Sequence, residues 1–285
     1  MKDIRQTREW ARYMVSMGWE VEKVKTKKGS KDVLVYIRKL PLLPFSVLKG
    51  QRFKEPMEMN DLKRIIKKHK VGRSFLEPMG EEMVKNIKKD GFRQSQSPFL
   101  PSKTVVVDLR KNEDYLWKAL SKDARYYIRK NDGSKSEVRV EIKEIGLESE
   151  KELREFWESW RRSKKGYLPS WKNFTGLVES FGKKAKVWVA RNDDENIAGM
   201  VVLNSGDTAF YYYAWTSREG RKSGAQYGLV WEGMLAAKKE GLNFFDFEGI
   251  KDERWPRKGW QGFSRFKKKF GGEEVSFLGC FGKWF

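Results

Sequence analysis

The sequence predicts a mixed α/β (α+β) fold, and the second half of the chain carries the strongest signal. Three apolar runs, KVWVAR (186–191), IAGMVVLN (197–204) and TAFYYYAW (208–215), are separated by the turns NDDEN and SGD, which is typical of an antiparallel meander. A helical segment at 225–240 and a further strand at 244–249 follow. With 285 residues, of which 39% are hydrophobic, the chain can form one large or two medium domains with buried cores.

In the first half of the chain, the predicted helices and strands alternate. The apolar-rich DVLVYIRKL (32–40) and the β-branched TVVVDL (104–109) predict strands. Asn112 is then a suitable N-cap, and apolar residues recur at every fourth position, so one helix is expected to continue to about residue 131. The other predicted elements are helices at 6–17, 58–70 and 79–90 and a strand at 73–78.

The net charge of +21 indicates the class of partner. Such an excess of cations favours contact with a polyanion: nucleic acid, a phosphorylated substrate or, at the periphery, an anionic membrane surface.

The rare residue types exclude several kinds of site. One cysteine, Cys280, excludes an internal disulfide and a cysteine-rich zinc site. One histidine, His69, excludes an HExxH zinc site and a Ser-His-Asp triad, and no metal site is expected. A resident cofactor is not expected either. No apolar run has the length of a signal peptide or a membrane span, and a cytoplasmic location is therefore expected.

The order of elements at 186–249, with the glycine-bearing loop TSREGRKSG (216–224) before the helix, is the layout of the acyltransferase fold shared by N-acetyltransferases. Three stretches resemble, more specifically, the FemA/FemB/FemX aminoacyltransferases, which build peptide cross-bridges on peptidoglycan precursors. They are the strand and tryptophan-bearing helix at 104–131, the segment at 214–250, and GFSRFKKKFGG (262–272), which matches the family's Phe-Lys-x-x-Phe-Gly signature.

The resemblance implies two tandem GNAT-like acyltransferase domains without a coiled-coil arm. Residues 1–140, completed by C-terminal strands at 268–285, would form the first domain, and residues 141–267 the second. The implied reaction moves an amino acid from aminoacyl-tRNA, a co-substrate, to an amine of a UDP- or lipid-linked muropeptide precursor. A monomer is expected.

The ester bond of an aminoacyl-tRNA is already activated, so positioning and charge stabilisation can supply most of the rate. The resemblance assigns the oxyanion-stabilising role to Lys267, with Phe266 beside the acceptor end of the RNA. Asp108 and Glu248 are candidate bases. The structural alternatives are a turn cap for Asp108 and hydrogen bonds to backbone for Asp246 and Glu248.

Cations interleaved with aromatic residues at 254–269 are suited to single-stranded RNA. The alternative is an amphipathic strand pair with its lysines in solvent. The candidate RNA-binding residues are Arg254, Arg257, Lys258, Arg265, Lys268 and Lys269.

The acceptor pyrophosphate requires further cations. Arg161 and Arg162 lie where relatives place an arginine for this purpose, although they are equally compatible with a solvated helix end. Relatives also have a lysine where this chain has Met14, and Arg12 is nearby. Tyr212 and Asp246 complete the expected substrate contacts.

Two other functions fit the same fold. An acyl-CoA-dependent GNAT N-acyltransferase would bind the pyrophosphate of acetyl-CoA at RKSGAQ (221–226), where Gln226 replaces a small residue and would crowd the phosphate. A non-catalytic RNA-binding module would use the basic surface alone.

Overall fold

The computed structural model describes residues 3–26, 31–131, 140–163 and 168–285. The described residues form two compact units. The first unit lies within 3–103, 251–257 and 276–285, and the second unit within 104–250 and 258–275.

The described chain contains both helices and strands, with short 3-10 turns at Ile4–Gln6 and Gly182–Lys184. The strands are β1 (Glu20–Val24), β2 (Val33–Lys39), β3 (Ser46–Phe53), β4 (Val71–Pro78), β5 (Arg93–Gln94), β6 (Lys103–Asp108), β7 (Val140–Ile145), β8 (Ala185–Asn192), β9 (Glu195–Ser205), β10 (Thr208–Thr216), β11 (Phe244–Asp246), β12 (Glu273–Ser276) and β13 (Phe281–Trp284). The helices are α1 (Arg8–Ser16), α2 (Met59–Lys68), α3 (Glu81–Lys89), α4 (Glu113–Ala119), α5 (Lys122–Asn131), α6 (Glu150–Ser163), α7 (Trp171–Phe181), α8 (Arg218–Ser223), α9 (Ala225–Lys239) and α10 (Trp260–Lys268).

The first unit is built on a six-stranded sheet in the order β1-β2-β3-β4-β13-β5. Strands β1, β2 and β3 form an antiparallel meander, and β4 then pairs parallel with β3 after the crossover through α2. Leu48 of β3, Leu62 and Ile65 of α2 and Leu76 of β4 are fully buried in one core. This apolar burial holds α2 against the sheet.

The second unit repeats this layout on a seven-stranded sheet in the order β12-β6-β11-β10-β9-β8-β7. Strands β8, β9 and β10 form the predicted antiparallel meander, α9 is the crossover, and β11 pairs parallel with β10. Strand β6 pairs antiparallel with the other edge of β11, with Val106 opposite Asp246. The short β11 is therefore an interior strand of the sheet, and its end is where the candidate site lies.

The division into units differs from the predicted domain boundary at residue 140. Strand β6 and helices α4 and α5 belong to the second unit because β6 pairs with β11 and α5 packs on α9. Residues 276–285 belong to the first unit, whereas residues 268–275 belong to the second unit.

Two local predictions were wrong. The helix expected after Asn112 is broken at Leu120, which has an extended backbone, because Ser121 caps a new helix with its hydroxyl and donates its N–H to the carbonyl of Lys269 (2.8 Å). The loop expected at 216–224 contains helix α8, which the hydroxyl of Ser217 caps by accepting the N–H of Gly220.

The turn after α10 needs glycine at residue 272. Gly272 has φ +87°, and a Cβ atom there would lie 2.5 Å from the carbonyl oxygen of Val106. We expect Gly272→Ala to lower the free energy of unfolding by about 2 kcal/mol or more, because left-handed strain and a backbone clash combine. Urea denaturation measures this change.

Gly262→Ala is the matched control. Gly262 lies within α10, and a Cβ atom there would have no neighbour within 4 Å. This substitution should raise the free energy of unfolding by up to about 1 kcal/mol, because alanine favours a helix interior. Equal effects of the two substitutions would contradict the turn geometry.

Candidate active site

The basic aromatic segment at 260–268 is a helix, so the alternative of an amphipathic strand pair is wrong. Helix α10 begins after Gly259, whose φ of +81° allows the chain to turn into it. Phe266 packs against Tyr227 (ring centroids 4.9 Å apart), and Phe270 lies 5.5 Å from Phe247. These rings recur at helical spacing and fix one face of α10 on the core of the second unit.

Lys267 projects from α10 to the backbone that follows β11. Its Nζ donates hydrogen bonds to the carbonyl oxygens of Phe247 (2.6 Å) and Gly249 (2.7 Å). The ammonium also lies 5.1 Å from the ring centroid of Phe263 and 5.7 Å from that of Tyr211. Because an ammonium carries three donors, one N–H is left for a ligand.

Burial lowers the pKa of Lys267 to about 8, although the charges of Glu248 and Asp246 act in the opposite direction. The side chain therefore remains mostly protonated at neutral pH. A weakly solvated cation with a donor to spare can stabilise an oxyanion that develops beside it.

The loop that receives Lys267 is held by a buried carboxylate. Asp246 Oδ1 accepts hydrogen bonds from the hydroxyl of Thr104 (2.6 Å) and from the N–H of Glu248 (2.8 Å). The N–H of Gly249 in turn donates to the hydroxyl oxygen of Thr104 (3.1 Å). Asp246 therefore has the structural role that the sequence left open.

Glu248 has φ +56°, a left-handed conformation that is uncommon for residues other than glycine. It lies between the two residues whose carbonyls bind Lys267. Strained backbone of this kind persists only where its surroundings hold it, and it is frequent at functional sites. Of the two predicted bases, Glu248 is the one that the structure brings to Lys267.

Asp108 lies at the other end of β11 from Glu248 and Lys267. Its carboxylate accepts two hydrogen bonds from the guanidinium of Arg110 (both 2.8 Å), and this pairing lowers the pKa of Asp108 to about 2. Asp108 lies opposite Phe244, where β11 starts, whereas Glu248 follows the end of that strand. The geometry therefore favours the turn-stabilising role of Asp108 over that of a base.

Tyr211, whose ring lies near the Lys267 ammonium, is hydrogen-bonded to Gln226, and the sequence did not indicate this contact. The side chain of Gln226 is buried and donates from Nε2 to the hydroxyl of Tyr211 (2.9 Å). It therefore points into the core and does not crowd a phosphate, contrary to the interpretation from sequence. Within the described part of the chain, the buried Oε1 of Gln226 has no hydrogen-bond partner. Tyr212, beside Tyr211, lies at a β-bulge of β10.

The start of α9 is where an acetyltransferase would hold a pyrophosphate, and here it is covered. Residues 223–226 are buried. The ring of Tyr127 lies on Gly224, so that a Cβ atom there would be 2.2 Å from Tyr127 Cδ1. Asn131 donates from its amide to the carbonyl of Gly224 (3.1 Å). Two residues of α5 therefore cover the first turn of α9.

The candidate RNA-binding cations are divided between the two units, and several of them already have partners within the protein. Arg254 is paired with Asp252 (2.7 Å) and Arg257 donates to the carbonyl of Pro98, all within the first unit. In the second unit Lys268 is paired with Glu274, Lys269 is paired with Asp123, and Lys258 and Arg265 are exposed.

The predicted acceptor cations are also separated. Arg162 lines a cleft of about 640 Å³ in the second unit, and the lining combines arginines with carboxylates: Arg154, Arg218 and Arg221, and Glu155, Glu158, Asp194 and Glu195. Arg161 is paired with Glu158 (2.7 Å), which lines the same cleft. Arg12 is exposed on α1 of the first unit.

Comparisons with known proteins agree with this architecture. Residues 118–257 match the family model of the acetyltransferase (GNAT) domain. The crystal structure of FemX is 17% identical with a TM-score of 0.81, and the match covers 99% of this chain and 92% of that chain. The structure of L-PGS from Bacillus licheniformis is 15% identical with a TM-score of 0.61, covering 95% and 86%.

A tandem GNAT protein from the clavulanic acid biosynthesis pathway is 11% identical with a TM-score of 0.58, covering 99% of this chain and 96% of that chain. No curated protein sequence matches the chain. Within the described residues, none of the helices combines the length and apolar character that crossing a membrane requires.

The matched domain and the structural similarity define the fold class: the chain has a tandem GNAT-like fold. Within that class its fold is FemX-like, and the predicted resemblance to FemA/FemB/FemX is confirmed at this level.

The depressed pKa of Lys267 should appear in the pH dependence of stability. Between pH 8 and the usual lysine value of about 10.4, the unfolded chain binds this proton and the native chain does not, so the free energy of unfolding rises with pH. From pH 7 to 9.5 we expect wild type to gain about 1–2 kcal/mol relative to Lys267→Met, measured by urea denaturation.

Lys118→Met, at an exposed position of α4, serves as the control and should follow wild type across this range. If the free energies of unfolding of wild type and Lys267→Met change in parallel with pH, Lys267 titrates as an ordinary surface lysine.

Proposed function

We propose that the protein is an aminoacyltransferase that moves an amino acid from aminoacyl-tRNA to the amine of a peptidoglycan precursor peptide. The observation that carries this proposal is the Lys267 ammonium, held by the carbonyls of Phe247 and Gly249 with one N–H to spare. The FemX-like fold supports the same reaction class.

The chemistry follows from the donor. The substrate amine attacks the ester carbonyl, and negative charge develops on the carbonyl oxygen until the terminal hydroxyl of the tRNA leaves. The Lys267 ammonium donates a hydrogen bond to this oxygen and requires no reorganisation, because the loop at 246–249 is already fixed. Glu248 is the nearest proposed acceptor for the proton that the amine loses.

The covered first turn of α9 favours aminoacyl-tRNA over acyl-CoA as the donor. A pyrophosphate at a helix start is held by open backbone N–H groups. Here Tyr127 and Gly224 are in contact and residues 223–226 are buried, so these groups are not open to a ligand. A nucleotide end would instead stack on the partly exposed Phe263 and Phe266 beside Lys267.

The exposed cations Lys258 and Arg265 are proposed to contact the phosphates of the tRNA. The cleft that contains Arg162 is proposed to receive the pyrophosphate of a UDP- or lipid-linked muropeptide.

A discharge assay tests the proposal. A panel of charged tRNAs is incubated with several muropeptide precursors, and loss of ester is followed in the presence of both substrates. Lys267→Ala should lower kcat by about 10²–10³-fold, because it removes one oxyanion donor, while tRNA affinity stays within about twofold.

Lys118→Ala, which removes an exposed lysine elsewhere in the second unit, should transfer at the wild-type rate. A Lys267→Ala variant that transfers normally would refute the site. Binding of tRNA without any discharge would indicate an RNA-binding module. If acetyl-CoA at a hundredfold excess over Kd raised the free energy of unfolding by about 2.7 kcal/mol, acyl-CoA would be the donor.

The pH profile gives a second test. Because Lys267 must be protonated and its pKa is about 8, the initial transfer rate should fall above pH 8. Lys267→Arg keeps its charge throughout this range, so its alkaline limb should move to higher pH even if its maximal rate is lower. If the transfer rate of wild type and of Lys267→Arg falls at the same alkaline pH, a group other than Lys267 causes the fall.

A further inference from the structure

A loop of the first unit exposes four apolar residues in succession. Pro41, Leu42, Leu43 and Pro44 are all exposed between β2 and β3, and Leu42 is fully so. Leu42 also has φ +65°, a left-handed conformation that a branched side chain rarely adopts. Single exposed leucines are ordinary, but a strained tip made only of apolar residues indicates a surface that meets something outside the protein.

Two exposed aromatic residues lie at the same end of the sheet. Trp284 is 63% exposed and Phe285 is 51% exposed. Trp284 packs edge-on against Phe45, the residue that follows the loop, with ring centroids 6.4 Å apart. The N–H of Phe285 bonds to the carbonyl of Gly72 (3.0 Å), and the Phe45 ring lies so close to Gly72 that a Cβ atom there would be 2.6 Å away.

These contacts bring the loop and the end of β13 together. We name the exposed set Leu42, Leu43, Trp284 and Phe285 the apolar rim. Phe45 and Gly72 form the base on which it is built, and all of these residues belong to the first unit.

The apolar rim is bordered by cations. The guanidinium of Arg73 lies 4.3 Å from the ring centroid of Trp284, and Lys283 Nζ lies 4.9 Å from that of Phe285. Arg38 and Lys39 precede the loop, and Lys70 precedes β4. The stretches 38–46, 70–73 and 283–285 contain no acidic residue. Lys283 also donates to the carbonyl of Asp90 (2.6 Å), whose carboxylate is paired with Lys63.

We propose that the apolar rim inserts into the interface of an anionic lipid bilayer. Leucine side chains enter the acyl boundary, tryptophan and phenylalanine lie at the headgroup level, and lysines and arginines meet anionic headgroups. A protein-binding surface is usually depleted in lysine, whereas three lysines border this one. The net charge of +21 also attracts the protein to such a membrane. The inference does not depend on Lys267 or on the proposed transfer reaction.

Vesicle sedimentation with the full chain tests the proposal. Wild type should bind vesicles of phosphatidylcholine and phosphatidylglycerol and bind poorly to phosphatidylcholine alone. Leu42→Ser with Leu43→Ser should weaken partitioning by about tenfold, since two inserted side chains are lost. Lys39→Gln and Lys70→Gln should each weaken it by about fivefold and lower its salt dependence.

Matched controls lie outside the rim. Val15, 58% exposed on α1, is replaced by serine, and Lys118 by glutamine, and both variants should bind vesicles as wild type does. Thermal unfolding of each variant verifies that it folds, which is expected because the replaced side chains are exposed.

A site-specific probe distinguishes insertion from surface attraction. Cys280 is fully buried, so an environment-sensitive dye reacts with an introduced cysteine in preference to it. The dye on Leu42→Cys should brighten and shift to the blue with anionic vesicles, and the dye on Val15→Cys should not change.

Three results would overturn the proposal. The first is no binding to anionic vesicles. The second is binding that responds to the lysine substitutions but not to loss of Leu42 and Leu43, which would indicate charge attraction alone. The third is a protein dimer that dissociates when those leucines are replaced, which would make the rim a contact between copies of the chain.

Discussion

The hydrogen bonds from Lys267 to the carbonyls of Phe247 and Gly249 connect helix α10 to the loop that follows β11, an interior strand of the second sheet. A poorly solvated ammonium is costly unless acceptors surround it, and here backbone oxygens supply them. Their position depends on the left-handed Glu248 between them and on the buried pairing of Asp246 with Thr104. The candidate site is therefore positioned by the end of β11 and by the loop that follows it.

The two units share one layout of strands and helices. In each, an antiparallel meander is followed by a helix and by a strand parallel to the last strand of the meander. In the second unit that parallel strand, β11, stops after three residues and its backbone turns toward Lys267. In the first unit the equivalent β4 continues for eight residues. The shared fold alone therefore does not fix the position of the candidate site, and the length of this parallel strand distinguishes the two units.

Much of the second unit could be predicted from sequence because its strands alternate and its turns are short, as at 186–215. The break at Leu120 could not, since the same apolar face continues through both helices and only the pairing of Ser121 with Lys269 interrupts them. The unit boundary depends on β6 pairing with β11, over a hundred residues away, which no local pattern records. In the candidate site, the resemblance predicted a role for Lys267, whereas the left-handed Glu248 and the Gln226–Tyr211 contact arise from tertiary packing and have no signal in the sequence.

Strand β13 lies between β4 and β5, so the first sheet is completed by residues from the far end of the sequence. During synthesis, β1 to β5 emerge roughly two hundred residues before their missing neighbour, and until then β4 and β5 present unpaired edges. Closing such a distant pairing is slow relative to local helix formation. The second unit is translated in this interval and can fold first, so the nascent chain needs protection from edge-to-edge association until residues 281–284 arrive.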